Sequence, residues 1–330
     1  MKHFLLALFL FASITIWGNE NPILETRQIY LREYPGAFNP SIIALDRGYL
    51  LTFRTIPNPK EYWISKIGVV ILNDFFQPVT APELLDTRKG KYLTPSQSED
   101  ARVFTIGKEI YLMYNDNLDC IHPSGQERRE IFVAKLERQG DHFTLLAPQK
   151  LIYPTKYILK MWEKNWVPFE YNNELLIGYT IVPHEIVAPD FTRGVCKKIS
   201  TSTALHPWNW GTLRGGTPAI LLEGEYLSFF HSSLLCGGWA EQKWKYFLGA
   251  YTFSKTPPFE ITQMTKTPLE ADTFYHPPSN YHKTVIFPGG FVVKGPNLYL
   301  VYGKDDSQIW IATIDLEKLK KALAPIEICK

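Results

Sequence analysis

Five times along the chain the same alternation of polar and apolar positions recurs. A polar or tight-turn entry leads into a β-rich run, a turn follows, and a second β-rich run ends in an aromatic with a polar residue or glycine behind it. The first unit runs from Asn39-Pro40-Ser41 through the turn Asp46-Arg47-Gly48 to Phe53 and Arg54. The second opens at Asp100-Ala101-Arg102, turns at Gly107-Lys108-Glu109 and ends at Tyr114 and Asn115. The third opens at Asn165-Trp166-Val167, turns at Asn172-Asn173 and ends at Tyr179 and Thr180. The fourth runs from Gly216-Thr217-Pro218 through Glu223-Gly224-Glu225 to Phe230 and His231, and the fifth from Pro288-Gly289-Gly290 through Gly295-Pro296-Asn297 to Tyr302 and Gly303. The interval from opening to closing aromatic is constant, whereas the units themselves lie ~50 to ~70 residues apart, the mark of one structural repeat with loop insertions.

Further β-like runs follow four of the hairpins, at Ile67–Ile71, Ile131–Ala134, Phe247–Tyr251 and Ile309–Ala312. Four-stranded sheets repeated around an axis are propeller blades, so the pattern predicts an all-β, five-bladed β-propeller. The helical period is confined to Leu316–Leu323, a short C-terminal helix. A sandwich or barrel with matching hairpins is the competing architecture. No linker-like stretch interrupts residues 22–330, which read as a single domain.

Ahead of this domain, Met1-Lys2-His3 precede an apolar run from Phe4 to Trp17 and the polar Gly18-Asn19-Glu20. This is the layout of a signal peptide over residues 1–18, too short for a spanning helix, and it predicts export to a periplasm, the medium or a secretory lumen. Hydrophobic residues make up 45% of the 330 and charged residues 21%, enough apolar material for a folded core. The net charge of +2, which loses one with Lys2, offers no electrostatic case for nucleic acid or an anionic membrane. Cys120, Cys196, Cys236 and Cys329 lack zinc-type spacing, and their pairing is not readable. No metal or cofactor is expected, because no His/Asp/Glu cluster has ligand spacing.

Residues that enter and leave the innermost strands of a propeller converge on one end of its axis. Here the openings bring Asn39, Glu99-Asp100, Lys164-Asn165 and Arg214-Gly215-Gly216-Thr217, and the exits bring Arg54, Asn115, His231 and, just beyond Tyr302, Asp306. Different chemistry on a constant frame is what a binding site needs. Acids, amides, cations and tryptophans (Trp63, Trp162, Trp166, Trp208, Trp210, Trp239, Trp244) are the materials of sugar recognition, although each tryptophan is equally at home in a core. His184 and Glu185 are either substrate contacts or a plain loop, and Asp100 is either an acid or a turn-tying carboxylate.

Taken together, Phe38-Asn39-Pro40, Glu99-Asp100-Ala101-Arg102, Lys164-Asn165, Gly215-Gly216-Thr217-Pro218 with His231, and Phe287-Pro288-Gly289 with Tyr302-Gly303 and Asp306 resemble the glycoside hydrolase family of β-mannoside phosphorylases and mannosidases. The resemblance covers nearly the whole domain and implies a five-bladed propeller that acts on β-mannosides by phosphorolysis, hydrolysis or mannosyl transfer. It also implies inversion, with Asp100 as general acid working through a sugar hydroxyl; Ala101 departs from the proline of the family's motif. It places Asn39, Arg54, Arg102 and Asp306 on the sugar-binding rim, beside Asn115, Asn165, Thr217 and Tyr302, and Lys164 and His231 on phosphate, where Arg128 is a further candidate. An anionic acceptor replaces the second carboxylate that inversion by water requires. The expected partners are an oligosaccharide or glycoside and inorganic phosphate. The alternative from another class is an exported propeller that binds carbohydrate without turning it over. On either reading Asp100, Lys164, His231 and Asp306 should face one cavity.

Overall fold

The computed structural model describes residues 21–61, 64–87, 96–117, 128–146, 148–154, 162–237, 243–276 and 283–328. The leader at residues 1–18 lies outside them, as do Trp63, Cys120, Trp239 and Cys329. Apart from a two-stranded pairing of Ala204–Leu205 with Glu327–Ile328, the strands form five sheets. Each sheet is built on one of the hairpins visible in the sequence.

Blade one is laid down in chain order by Phe38–Ala44, Tyr49–Thr55, Lys66–Leu72 and Glu83–Leu84. Blade two uses Glu99–Ile106, Glu109–Asp116, Glu130–Gln139 and Gln149–Leu151, with His142–Leu145 also paired to its third strand. Blade three is Val167–Tyr171, Glu174–Thr180, His184–Asp190 and Val195–Ser202. Blade five takes Ile286–Lys294, Asn297–Lys304 and Gln308–Asp315, and its outer strand is Ile23–Ile29 from the other end of the domain. That antiparallel pairing of first strand with last blade closes the ring.

Blade four is irregular where its inner strand should be. Thr212–Gly215 pairs with the upper part of Glu225–Cys236 and Ile220–Leu222 with the lower part, leaving Gly216–Ala219 as a break. Pro218 has no amide hydrogen for a ladder. Thr217 bridges the gap, its N–H donating to the Phe229 carbonyl and its hydroxyl accepting from the Phe229 N–H at 3.0 Å. Lys243–Ser254, Ile261–Thr265 and Leu323–Pro325 follow, and Lys283–Thr284 pairs in parallel with the start of Lys243–Ser254 to complete the sheet. The helix before that last strand spans Leu316–Ala322, is capped by the Asp315 carboxylate on the Lys318 N–H, and buries Leu316 and Leu319.

Apolar side chains sort into five buried clusters, one for each gap between neighbouring blades. Val103 and Phe132 meet Leu50 and Val69 between blades two and one. Phe104 and Met113 meet Leu175 and Ile177 between blades two and three. Phe169 meets Phe253 between three and four, Phe229 meets Phe291 between four and five, and Val301 meets Leu51 between five and one. Both faces of every sheet are therefore buried, which a two-layer sandwich with one core does not do. His184, read as a contact or a loop, starts the third strand of blade three; its Nδ1 lies 2.7 Å from the Phe259 carbonyl and its ring packs on Phe253.

The seam between blades five and one is tight. A Cβ on Gly289 would stand 1.7 Å from the Pro40 carbonyl oxygen, whereas one on Gly36 would meet nothing within 4 Å. Gly289→Ala is therefore expected to cost about 1–3 kcal/mol through forced backbone shifts. Gly36→Ala should stay within about 0.5 kcal/mol of wild type. Urea denaturation of both variants checks the pair.

Candidate active site

The first three blades begin with the same backbone irregularity. Asn39, Asp100 and Asn165 take left-handed conformations, with φ of 45°, 55° and 63°. In blades one and two the strand register slips at that point, between Phe38 and Ser41 and between Glu99 and Arg102. Asn and Asp are the non-glycine residues that accept this backbone most readily, and a bulge re-aims the side chain it carries. The three side chains are thereby turned into the mouth of the axial channel.

They line a polar cavity of about 790 Å³ together with Arg54, Lys164, His231 and Asp306. Seven of the residues expected at a site thus share one space, the acid candidate Asp100 and its proposed companions Lys164, His231 and Asp306 among them. The opposite end of the channel holds a separate, mainly apolar cavity of about 590 Å³ around Phe169, Ile220 and Phe291.

Asp100 is only 7% exposed. Its Oδ1 accepts from Asn39 Nδ2 at 2.8 Å and from Arg54 Nη1 at 3.3 Å. Burial pushes its pKa up, but Arg54, Lys164, the Asn39 hydrogen bond and Arg102 together outweigh that and hold it at about 2. The carboxyl is therefore ionised at neutral pH. Glu99 next door collects cations: Oε1 accepts from Arg54 Nη2 at 2.6 Å and faces Arg129 Nη1 at 3.4 Å, and Oε2 accepts from Lys164 Nζ at 2.7 Å.

Across the cavity the balance differs. Arg214 and His231 are directly paired across adjacent strands of blade four. Arg214 has no carboxylate partner among the described residues, and the buried His231 Nδ1 has no hydrogen-bond partner. Burial lowers the His231 pKa to about 3, Arg214 and Arg102 push the same way, and Asp100 opposes them, so the ring is neutral. Tyr246 stacks on that ring, its plane within 12° at 5.7 Å.

The other expected site residues are elsewhere. Arg102 lies behind the wall: its guanidinium donates to the carbonyls of Asp100 at 2.9 Å, Gly215 at 3.3 Å and Gly216, and to Asn165 Oδ1 at 3.4 Å. Asn115 is also behind it, its Nδ2 donating to the Glu99 carbonyl at 3.4 Å. Thr217 serves the break in blade four, away from the cavity. Tyr302 is fully buried against Phe274 between blades four and five, because an aromatic at that strand position faces the neighbouring blade. Arg128 turns into an ion pair with buried Glu130 and does not line the cavity, while its neighbour Arg129 reaches Gln97 and Glu99.

Some wall residues had been given no role from the sequence. Arg214 had a visible signal, since it precedes the Gly215-Gly216 opening, and so had Glu99. Glu163 and Lys283 had none: Glu163 is 4% exposed, with Trp166 Nε1 and the Tyr179 hydroxyl donating to it, and Lys283 pairs with Asp306. No group of three or more metal-ligating side chains converges among the described residues.

A closed five-bladed propeller with carboxylates, cations and tryptophan in one axial cavity is the frame of a carbohydrate-active protein. The chain belongs to glycoside hydrolase family 130: the family model described as beta-1,4-mannooligosaccharide phosphorylase matches residues 20–324. A search of curated proteins found no match. Among solved structures, a glycosyl hydrolase from Bacteroides ovatus superposes with a TM-score of 0.59 at 14% identity, covering 94% of each chain. A β-1,2-mannobiose phosphorylase from Listeria innocua, solved with β-1,2-mannobiose, gives 0.56 at 15%, covering 90% of this chain and 92% of that one. A mannose phosphorylase from Leishmania mexicana, solved with phosphate ion, gives 0.55 at 14%, covering 93% of each. At these identities the structures establish the shared fold.

The buried histidines carry a pH dependence of stability. His231 and His184 are lowered to about 3 and about 4, in both cases first by burial. In the unfolded chain each titrates near 6.5, so between those values the unfolded state binds more protons and stability falls as pH falls. Asp100, lowered from 3.8 to about 2, adds the same trend only below pH 4. Taking the urea midpoint from pH 7.5 to pH 5 should reveal a loss on the order of 2 kcal/mol per histidine. A midpoint unchanged over that range would contradict the buried neutral rings.

Proposed function

We propose that this protein cleaves β-mannosidic bonds by transferring the mannosyl group to inorganic phosphate, with inversion, and that Asp100 handles the proton. The observation that carries the reading is the cavity's asymmetry: an acid held by Asn39 and Arg54 on one side, and an uncompensated Arg214 beside an unpartnered His231 nitrogen on the other. An inverting reaction needs its proton donor and its nucleophile on opposite faces of the sugar. The family supports action on β-mannosides, and the Leishmania mexicana relative was solved with phosphate ion.

In this scheme a phosphate oxygen attacks the anomeric carbon, and the glycosidic C–O bond breaks with its electron pair going to the leaving oxygen. That oxygen takes a proton delivered by way of Asp100 and a sugar hydroxyl. Hydrogen phosphate gives up the proton that restores Asp100, so the products are mannose 1-phosphate and the alcohol, with charge and protons balanced. Asp100 is ionised because Arg54 and Lys164 sit close to it. A phosphate dianion held on the Arg214 side of the same cavity offsets the field of those cations and raises the affinity of Asp100 for a proton, as a nearby like charge does for any carboxylate. Export of the chain, expected from residues 1–18, belongs to the same proposal; N-terminal sequencing of secreted protein checks it.

A second reading rests on Glu163, a buried carboxylate in the same wall. As a base it would activate water, and the enzyme would be an inverting β-mannosidase. Assays on β-mannobioses with and without phosphate separate the two. Phosphorolysis predicts strict phosphate dependence and α-mannose 1-phosphate as the first product by NMR. Asp100→Asn should lower kcat by about 10² to 10⁴, and Arg214→Met should raise the phosphate KM at least about tenfold, as loss of a charge-assisted contact does. Phosphate-independent release of mannose that is lost in Glu163→Gln would shift the assignment to hydrolysis. Glycan binding without turnover would leave a binding propeller, and transfer from a sugar nucleotide would make it a mannosyltransferase.

A further inference from the structure

We propose that Glu99 is a specificity-determining residue that acts as an anion of the protein's own: by neutralising Arg54 and Lys164 it closes the Asp100 side of the cavity to phosphate and leaves the Arg214 side as the place where phosphate is held. The inference rests on the phosphorolysis reading above and names the residue that decides where in the cavity the anion sits. Consecutive strand residues ordinarily point to opposite faces. Glu99 opens the inner strand of blade two, and the left-handed Asp100 after it, with the register slip between Glu99 and Arg102, brings both carboxyls into one cavity.

Arg54 is the cation the two carboxylates share. Its Nη2 is 2.6 Å from Glu99 Oε1 and its Nη1 3.3 Å from Asp100 Oδ1, while its Cζ lies 5.0 Å from the centroid of the Phe38 ring. The other Glu99 oxygen, Oε2, accepts from Lys164 Nζ at 2.7 Å. Arg129 approaches Oε1 to 3.4 Å, but its guanidinium is bonded to Gln97 and does not line the cavity. On this side, therefore, Arg54 and Lys164 face Glu99 and Asp100, and Lys283 is matched by Asp306. Phosphate arriving here would have to displace Glu99 from two charge-assisted contacts, which are among the strong hydrogen bonds, and would do so against the repulsion of Asp100. Arg214 stands beside a histidine and sets no such competitor in the way. The lysine that the family resemblance assigns to phosphate is thus already held by a carboxylate of its own chain. Because inversion needs the nucleophile on the face away from the acid, a phosphate bound beside Asp100 would also be unproductive.

Calorimetric titration with inorganic phosphate needs no turnover and tests this. Arg214→Met should weaken phosphate binding at least about tenfold, although Arg54 and Lys164 remain in place. Glu99→Gln keeps the shape and removes the charge; it should bind phosphate about tenfold more tightly or take up a second phosphate, and adding Arg214→Met to it should leave phosphate bound. In a kinetic assay the same gain should read as inhibition by excess phosphate with a lowered kcat. A merely structural role would weaken binding instead. Glu99→Asp, which retains the charge, should titrate like the wild type. Wild-type affinity in Arg214→Met, unchanged or weaker binding in Glu99→Gln, tighter binding in Glu99→Asp, or loss of binding in the double variant would each overturn the proposal. Phosphate taken up by Glu99→Gln but not by the wild type would remove the phosphorolysis reading and keep the role of Glu99, and binding to neither would remove both.

Discussion

A single buried guanidinium holds the centre of this ring together. Arg102 leaves the inner strand of blade two, meets Asn165 of blade three, the Gly215 and Gly216 carbonyls of blade four and, at 5.3 Å, the Phe287 ring of blade five. Taking a cation out of water is expensive unless its donors are satisfied and an opposite charge is near. The carbonyls supply the first condition and the Asp100 carboxylate the second: burial lowers the Arg102 pKa to about 10 and Asp100 opposes the fall. The candidate acid and the pin of the fold are therefore one electrostatic unit. Asp100 stays anionic partly because Arg102 is there, and Arg102 can remain buried because Asp100 is anionic.

The same economy explains why so much of the architecture was visible in the amino-acid pattern. A left-handed residue opens each of the first three blades, at a bulge in blades one and two, and Asn39, Asp100 and Asn165 supply it. These are also the side chains a sugar site uses, so the backbone requirement and the chemical one leave a single mark at one phase of the repeat. At the exit of blade five the constraint is one of space: a Cβ on Gly303 would lie 2.1 Å from Asn39 Oδ1.

What the pattern left hidden has equally physical causes. Strand phase says where a residue lies along a hairpin, but at blade openings it does not say whether the side chain enters the cavity or runs behind it. Arg102, read as a rim residue, is two positions from Asp100 and passes behind the wall because its length lets it reach the backbone of blade four. Tyr302 could have been set aside by its counterparts, since Phe53, Tyr114 and Phe230 at the same phase are all buried between blades. Thr217 went to the backbone because Pro218 interrupts a ladder that the other blades keep. Between Arg128 and Arg129, which lie just ahead of the strand Glu130–Gln139, the pattern had no means to choose, because their directions are set by partners from elsewhere: Arg128 pairs with Glu130, and Arg129 reaches Gln97 and Glu99. Glu163 belongs to a connection and Lys283 to a two-residue strand added in parallel to blade four, so neither has a counterpart in the repeat, and only the closed ring brings them to the wall.

The distribution of charge within the cavity carries the last step of the argument. Glu99 takes Arg54 and Lys164, and Asp306 takes Lys283, so three of the four Lys and Arg cations in the wall are already matched. The fourth, Arg214, is paired in register with a histidine that burial keeps neutral. An incoming anion therefore meets a site with less carboxylate to displace on the blade-four side than on the side of Glu99 and Asp100. The same wall carries the exposed Trp162 indole, with Lys164 Nζ 5.6 Å from its centroid. Polarity across the cavity, rather than its net charge, gives a bond held within it two unlike ends: one where a proton can be exchanged and one where negative charge is accepted.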